Sequence, residues 1–108
     1  MAKEPRTVRY QTTVHTENGN TIVVYYETAV VIFNDEEIIL NTGGWWTMST
    51  QGRMNWVSKH FDLGYRIQRQ GKVFHVTYQD EKHGYDTERI RLDRKTGEVT
   101  PVNKAAKS

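Results

Sequence analysis

Residues 7–27 read Thr-Val-Arg-Tyr-Gln-Thr-Thr-Val-His-Thr-Glu-Asn-Gly-Asn-Thr-Ile-Val-Val-Tyr-Tyr-Glu, and this stretch decides the fold class. From Thr7 to His15, Val8, Tyr10, Thr12 and Val14 alternate with Arg9, Gln11, Thr13 and His15. A period of two places the first set on one face of a strand and the second on the other. Asn18-Gly19 supplies the positive φ angles of a tight hairpin. Thr21 to Glu27 returns as a second strand, with Ile22, Val24 and Tyr26 on one face and Val23 and Tyr25 on the other.

Downstream, Ala29–Phe33 reads as a third strand, either separate from the second or continuous with it through a bend. Asn34-Asp35-Glu36 is a turn and Glu37–Asn41 a fourth strand. Thr42-Gly43-Gly44 breaks the pattern, since paired glycines resist strand and helix interiors. The one helical pattern is Gln51–Asp62, where Met54, Val57 and Phe61 form a stripe. Ser49 or Thr50 is expected to cap its start, and Gly64 to end it in the left-handed conformation. A hairpin follows, Tyr65–Arg69 and Lys72–Tyr78 about Gln70-Gly71. Asp80–Asp86 reads as a polar loop, Thr87–Asp93 as a strand and Glu98–Val102 as a short edge strand stopped by Pro101. The predicted order is β-β-β-β-α-β-β-β, an α+β fold with one helix packed on a mostly antiparallel β-sheet.

Composition agrees. Val, Ile, Thr, Tyr, Phe and Trp fill 42 of the 108 positions and Leu only three, a bias toward side chains that suit a pleated surface. A chain of 108 residues is expected to form a single domain, with the polar ends, 1–5 and 103–108, as mobile tails. No cysteine is present, which excludes disulfide scaffolds, cysteine-ligated metal and thiol nucleophiles. The longest apolar run, Ala29–Phe33, is far short of the about 20 residues of a membrane span, and the first residues lack the apolar core of a signal peptide.

The formal net charge is only +2, but it is unevenly spread. Residues 1–50 hold three basic and six acidic groups; residues 51–78 hold five basic (Arg53, Lys59, Arg66, Arg69, Lys72) and one acidic, Asp62. On the helix, Arg53, Trp56, Lys59 and His60 fall on the side opposite Met54, Val57 and Phe61. A Trp among cations suits base stacking with phosphate contacts, or a protein hot spot; packing of Trp56 under a neighbouring loop is the plain alternative. Trp45 and Trp46 point opposite ways if extended, so one is expected in the core. Ser49-Thr50-Gln51-Gly52-Arg53 fits a phosphate seat less well than a simple helix cap. Arg66 and Gln68 share a strand face that would extend the basic helix surface.

Catalysis finds little support. Asp80, His83 and Asp86 lack a second cluster to hold a metal, and His60 and Asp62 are two apart and do not face each other on a helix. No catalytic residue, metal or cofactor is expected.

Gly44-Trp45, Thr47, Thr50, Arg53-Met54-Asn55, Gly64 and the aromatic-basic strand after it, within residues 38–69, carry a resemblance. They are similar to a segment of small proteins encoded by bacteriophages and prophages, a group without an assigned function. The resemblance implies a phage origin and location in the host cytoplasm. It transfers no catalytic residues.

The expected function is therefore non-enzymatic binding of nucleic acid through a basic, Trp-containing helix face. The residues expected to carry it are Trp45, Trp46, Arg53, Asn55, Trp56, Lys59, His60, Arg66 and Arg69. The alternative is a protein-binding inhibitor of a host system, of the anti-defence or anti-CRISPR type. A monomer fits, as does a homodimer formed by pairing an exposed strand such as 29–33 with a second copy.

Overall fold

The computed structural model describes residues 6–102 apart from Tyr10 and Lys72; for residues 6–9 it describes the backbone alone. The two predicted tails and Lys72 of the basic run lie outside the described residues. The elements are β1 (Arg6–Arg9), β2 (Thr12–Glu17), β3 (Asn20–Tyr25), β4 (Thr28–Phe33), β5 (Glu37–Asn41), α1 (Met48–His60), β6 (Tyr65–Gln70), β7 (Val73–Tyr78), β8 (Glu81–Tyr85), β9 (Arg89–Asp93) and β10 (Val99–Val102). The fold is α+β, with one helix and antiparallel sheets, as the alternation predicts.

The strands form two sheets. The larger has the order β1-β2-β3-β4-β5-β9-β10 and the smaller β6-β7-β8. Every pairing is antiparallel. Sequential hairpins build most of this, because turns such as Asn18-Gly19 supply left-handed residues (φ 55° and 83°) at small cost. The jump from β5 to β9 closes the large sheet after the chain has made the helix and the small sheet.

Several local expectations are refined. The predicted strand 7–15 is divided into β1 and β2 by Gln11 at φ 52°, whose carbonyl accepts a hydrogen bond from Tyr26 N–H at 2.9 Å. β3 and β4 are separate strands joined across Tyr26-Glu27. Val23 pairs with Val31 and Val24 with Ala29, so Val30 is the extra residue of a bulge. That is why adjacent Val30 and Val31 are both buried. β4 has β3 on one side and β5 on the other; both its edges are occupied, so it cannot pair with a second copy as the sequence suggested. The stretch 80–86 is not a loop: Glu81–Tyr85 forms β8, with Lys82 and Gly84 on one face and His83 and Tyr85 on the other.

One core lies between the sheets. Val23, Val31, Ile38, Leu40, Ile90 and Leu92 enter it from the large sheet, and Tyr65, Ile67, Phe74, Val76, Tyr78 and Tyr85 from the small one. Met54 and Val57 enter it from the helix, as the stripe predicts. The helix starts earlier than expected, with Thr47 as N-cap, its hydroxyl accepting from Thr50 N–H. It ends in a Schellman turn: Phe61 N–H donates to Val57 C=O, and Leu63 N–H to Ser58 C=O at 2.8 Å. The first left-handed residue is Asp62 (φ 58°), and Gly64, two positions on, also holds a positive φ (86°).

The helix packs chiefly on β6, and it meets that strand edge-on. Asn55 Nδ2 donates to Ile67 C=O at 2.9 Å while its Oδ1 accepts from Ile67 N–H at 2.7 Å. Three residues on, Ser58 Oγ donates to Tyr65 C=O at 2.6 Å and accepts from Tyr65 N–H at 3.1 Å. Side chains three apart lie on one helix face. They satisfy the outward backbone groups of β6 in place of a further strand.

Candidate nucleic-acid interface

The β6–β8 sheet shows a clean alternation. Cross-strand rows Arg66–Thr77–Lys82, Gln68–His75–Gly84 and Gln70–Val73 share its outer face, while the intervening residues turn Tyr65, Ile67, Phe74, Val76, Tyr78 and Tyr85 into the core. Arg66, Gln68, Gln70 and Lys82 are exposed. Among the described residues this face has no carboxylate. It also has no tyrosine, because Tyr65, Tyr78 and Tyr85 all face the core. Burial raises the Tyr65 hydroxyl pKa well above its usual value, and nearby Tyr85 adds to this. Tyr85 is raised too, by burial first and Glu88 second. Both stay protonated; Tyr65 donates to Met54 C=O at 2.7 Å and ties β6 to the helix.

Lys59 follows Ser58 and Arg66 follows Tyr65, so both adjoin the Ser58–Tyr65 contact between helix and strand. Lys59 and His60 are exposed in the last helical turn. Trp56 stacks on His60, with ring centroids 4.6 Å apart and planes 19° apart, and its other side packs against the core margin. Arg53 is engaged with the large sheet: its guanidinium lies 4.8 Å from the Tyr25 ring centroid, and its Nε is buried without a hydrogen-bond partner. Arg69 is exposed but sits in the row of Phe74 and Tyr85, near the far end of β6. Arg66, Lys59 and His60 are thus all exposed next to the helix–β6 junction, while Arg53 lies on Tyr25 of the large sheet and Arg69 farther along β6.

Two predicted site residues are structural. Asn55 spends its amide on the backbone of Ile67. Trp46 packs edge-on against Phe74 and Tyr85, with centroids 5.1 and 5.3 Å away. Trp45 points the other way and is 65% exposed, the split expected for adjacent residues of an extended segment.

Trp45 borders a cleft of about 540 Å³ at the opposite end of the helix. Its lining includes Tyr25, Tyr26, Glu27 and Thr28 of the β3–β4 hairpin, and Trp45, Thr47 and Ser49 of the segment entering the helix. The loop is shaped by Gly43 and Gly44, both at positive φ. Their N–H groups donate to the Asn41 and Thr42 side chains at 2.9 and 3.1 Å. A Cβ on Gly43 would lie 2.8 Å from Thr28 Oγ1 and Cγ2, so glycine lets the loop close on the hairpin. Tyr26 is 57% exposed and holds φ 57°, an uncommon conformation for a bulky residue. Thr50 N–H and Gln51 N–H are bound to Thr47; the segment caps the helix, but from Thr47 rather than Ser49 or Thr50.

Sequence reading missed Tyr25, Tyr26 and Lys82. Tyr25-Tyr26-Glu27 looked like the end of a strand, although an aromatic pair at a strand-to-strand break is a signal for an exposed ring. Lys82 was hidden in a supposed loop whose Lys82/Gly84 against His83/Tyr85 alternation is that of a strand. Asp80, His83 and Asp86 form no metal-binding group; among the described residues no three His, Asp or Glu come together in one.

The profile of the family described as Kyanoviridae Gp96 protein matches residues 1–93. The chain belongs to that family. It is a phage protein, in agreement with the resemblance carried by residues 38–69. The matched region contains both the cleft and the basic face and stops at the end of β9. No curated protein and no solved structure matches the chain. No helix among the described residues is long and apolar enough to cross a membrane.

Proposed function

We propose that this phage protein binds single-stranded nucleic acid in the host cytoplasm and catalyses no reaction on it. The observation that carries this reading is the outer face of β6–β8, with Arg66 and Lys82 in one cross-strand row, Gln68 and Gln70 beside them, and no carboxylate among its described residues. Lys59 and His60 extend the face onto the helix. Amides and cations on a flat sheet suit a phosphate backbone, whose contacts position a strand without reading its sequence. Three phosphate contacts on a single strand give a log–log salt slope of about −2, a loss of about 20-fold between 50 and 200 mM salt. Fluorescence anisotropy of a labelled 12-nucleotide strand at the two salt concentrations tests this. Arg66→Glu is expected to weaken binding and flatten the slope. Binding indifferent to salt and to this reversal would overturn the reading.

A second reading has its own support. Tyr26, Trp45 and Met48, at 57%, 65% and 70% exposure, gather at the cleft and the adjoining helix start. Aromatic and Met side chains exposed together are the makings of a protein hot spot, as an inhibitor of a host defence system would need. A host-lysate pull-down after nuclease treatment separates the two. One stoichiometric partner, lost on Met48→Glu, would favour the inhibitor.

A further inference from the structure

The geometry points to the cleft between Tyr26 and Trp45 as the seat for one unstacked nucleobase. This rests on the nucleic-acid reading and adds a base contact to a surface otherwise made of phosphate contacts. Four features carry it. First, two exposed rings, Tyr26 from the β3–β4 turn and Trp45 from the loop before the helix, border the same cavity. A base offers two π-faces and is held by such rings whatever its identity.

Second, the polar lining residues are mainly Thr and Ser: Ser49 is exposed and Thr28 half-buried there, while the hydroxyls of Thr42, Thr47 and Thr50 are taken up by Gly44 and the helix cap. A hydroxyl both donates and accepts, as the mixed edge of a base requires. Glu27 is the one carboxylate in the lining, and it does not make the cleft a seat for a cation: Arg53, stacked on Tyr25, sets a positive charge behind the same wall.

Third, the wall is built and held. Arg53 lies on Tyr25, and Tyr25 meets Tyr26 with centroids 4.7 Å apart and planes at 56°. The Gly43–Thr28 approach closes the loop against the hairpin. Fourth, Tyr26 keeps a backbone conformation that Asn or Gly would adopt with less strain. Strain of this kind gathers at ligand-binding sites. Arg53 is then a positioning residue for the aromatic wall. The helix between cleft and basic end has 13 residues, about 20 Å of rise, a span that a few nucleotides cover.

The test uses the full chain, a labelled 12-nucleotide oligothymidylate and a strand of equal length carrying abasic sites throughout. Both have the same phosphates. The wild type is expected to bind the intact strand about 5- to 150-fold more tightly than the abasic one, the range for one aromatic–base stack. Trp45→Ala should lose that factor on the intact strand, narrow the gap between the strands by as much, and keep the wild-type salt slope. Tyr26→Asn removes the other ring while easing the backbone, so a loss of binding there is not a loss of folding. Equal affinity of the wild type for both strands, or undiminished binding by both variants, overturns the base seat and leaves salt-sensitive phosphate binding standing. No binding of either strand at 50 mM salt overturns both.

Discussion

Replacing Ser58 with Ala removes one oxygen and tests the edge-on docking of helix and sheet. Ser58 is buried at 6% exposure. Its Oγ makes two hydrogen bonds to Tyr65, at 2.6 and 3.1 Å. Without it, the Tyr65 N–H and C=O remain at the β6 edge under the helix, where an alanine methyl offers nothing. Each net bond is worth about 1 kcal/mol, and each buried group left unsatisfied costs about 1–3 kcal/mol. Alanine returns about 0.5 kcal/mol through its better helix propensity. The net expectation is a loss of about 2–3 kcal/mol. For a urea m-value of about 1.5 kcal/mol/M, the midpoint falls by about 1.3–2 M. Tryptophan emission and far-ultraviolet circular dichroism followed together in urea would measure it. Ser49→Ala, on the exposed first turn, is the control and should move the midpoint little. A Ser58→Ala loss below about 0.5 kcal/mol would refute the docking argument, because water or a shifted backbone would then be replacing the hydroxyl at little cost.

Asn55→Ala should destabilise by about 2 kcal/mol through the same kind of loss at Ile67, and should leave oligonucleotide affinity unchanged once folded protein is compared; a specific affinity loss would return Asn55 to the binding surface. The adjacent tryptophans should behave oppositely: Trp46→Ala costs about 3 kcal/mol as a core truncation, while Trp45→Ala stays within about 0.5 kcal/mol, both read by urea melts. Gly43→Ala should cost about 1–3 kcal/mol, from its left-handed φ and the crowding against Thr28; a neutral midpoint would contradict that close approach. Hydrogen bonds from the Lys95 and Thr96 backbone are the main cause holding the Asp93 carboxyl below its ordinary pKa of 3.8. With the folded value depressed, its contribution to the β9–β10 turn is intact above 3.8 and is lost as pH falls through the lowered folded value; Asp93→Asn should flatten that acid limb.

The sheet hairpins and the apolar helix stripe were legible because period-two and period-3.6 patterns are local. What escaped was set by partners distant in sequence. Val30 fits into the core only because β3 bulges β4 opposite it. Glu81–Tyr85 is rich in polar and charged residues, and only pairing with β7 makes it a strand. At the candidate site, the exposure of Lys59, His60 and Arg66 and the splitting of Trp45 from Trp46 followed from face arguments. Asn55 and Arg53 did not, since an amide clamped to Ile67 and a guanidinium laid on Tyr25 have the same sequence appearance as free binding groups. Tyr26 became visible only with its positive φ and its place on the cleft.

The edge-on seat of the helix has a consequence for how the molecule would fail. β6 is the outermost strand of its sheet, and Asn55 and Ser58 occupy backbone groups that an incoming strand would otherwise take. Undocking of α1 alone, a local opening well short of global unfolding, would uncover a ready template for intermolecular pairing. The first aggregating species would then be a nearly native molecule with both sheets intact, and variants that loosen the helix would aggregate out of proportion to their loss of global stability.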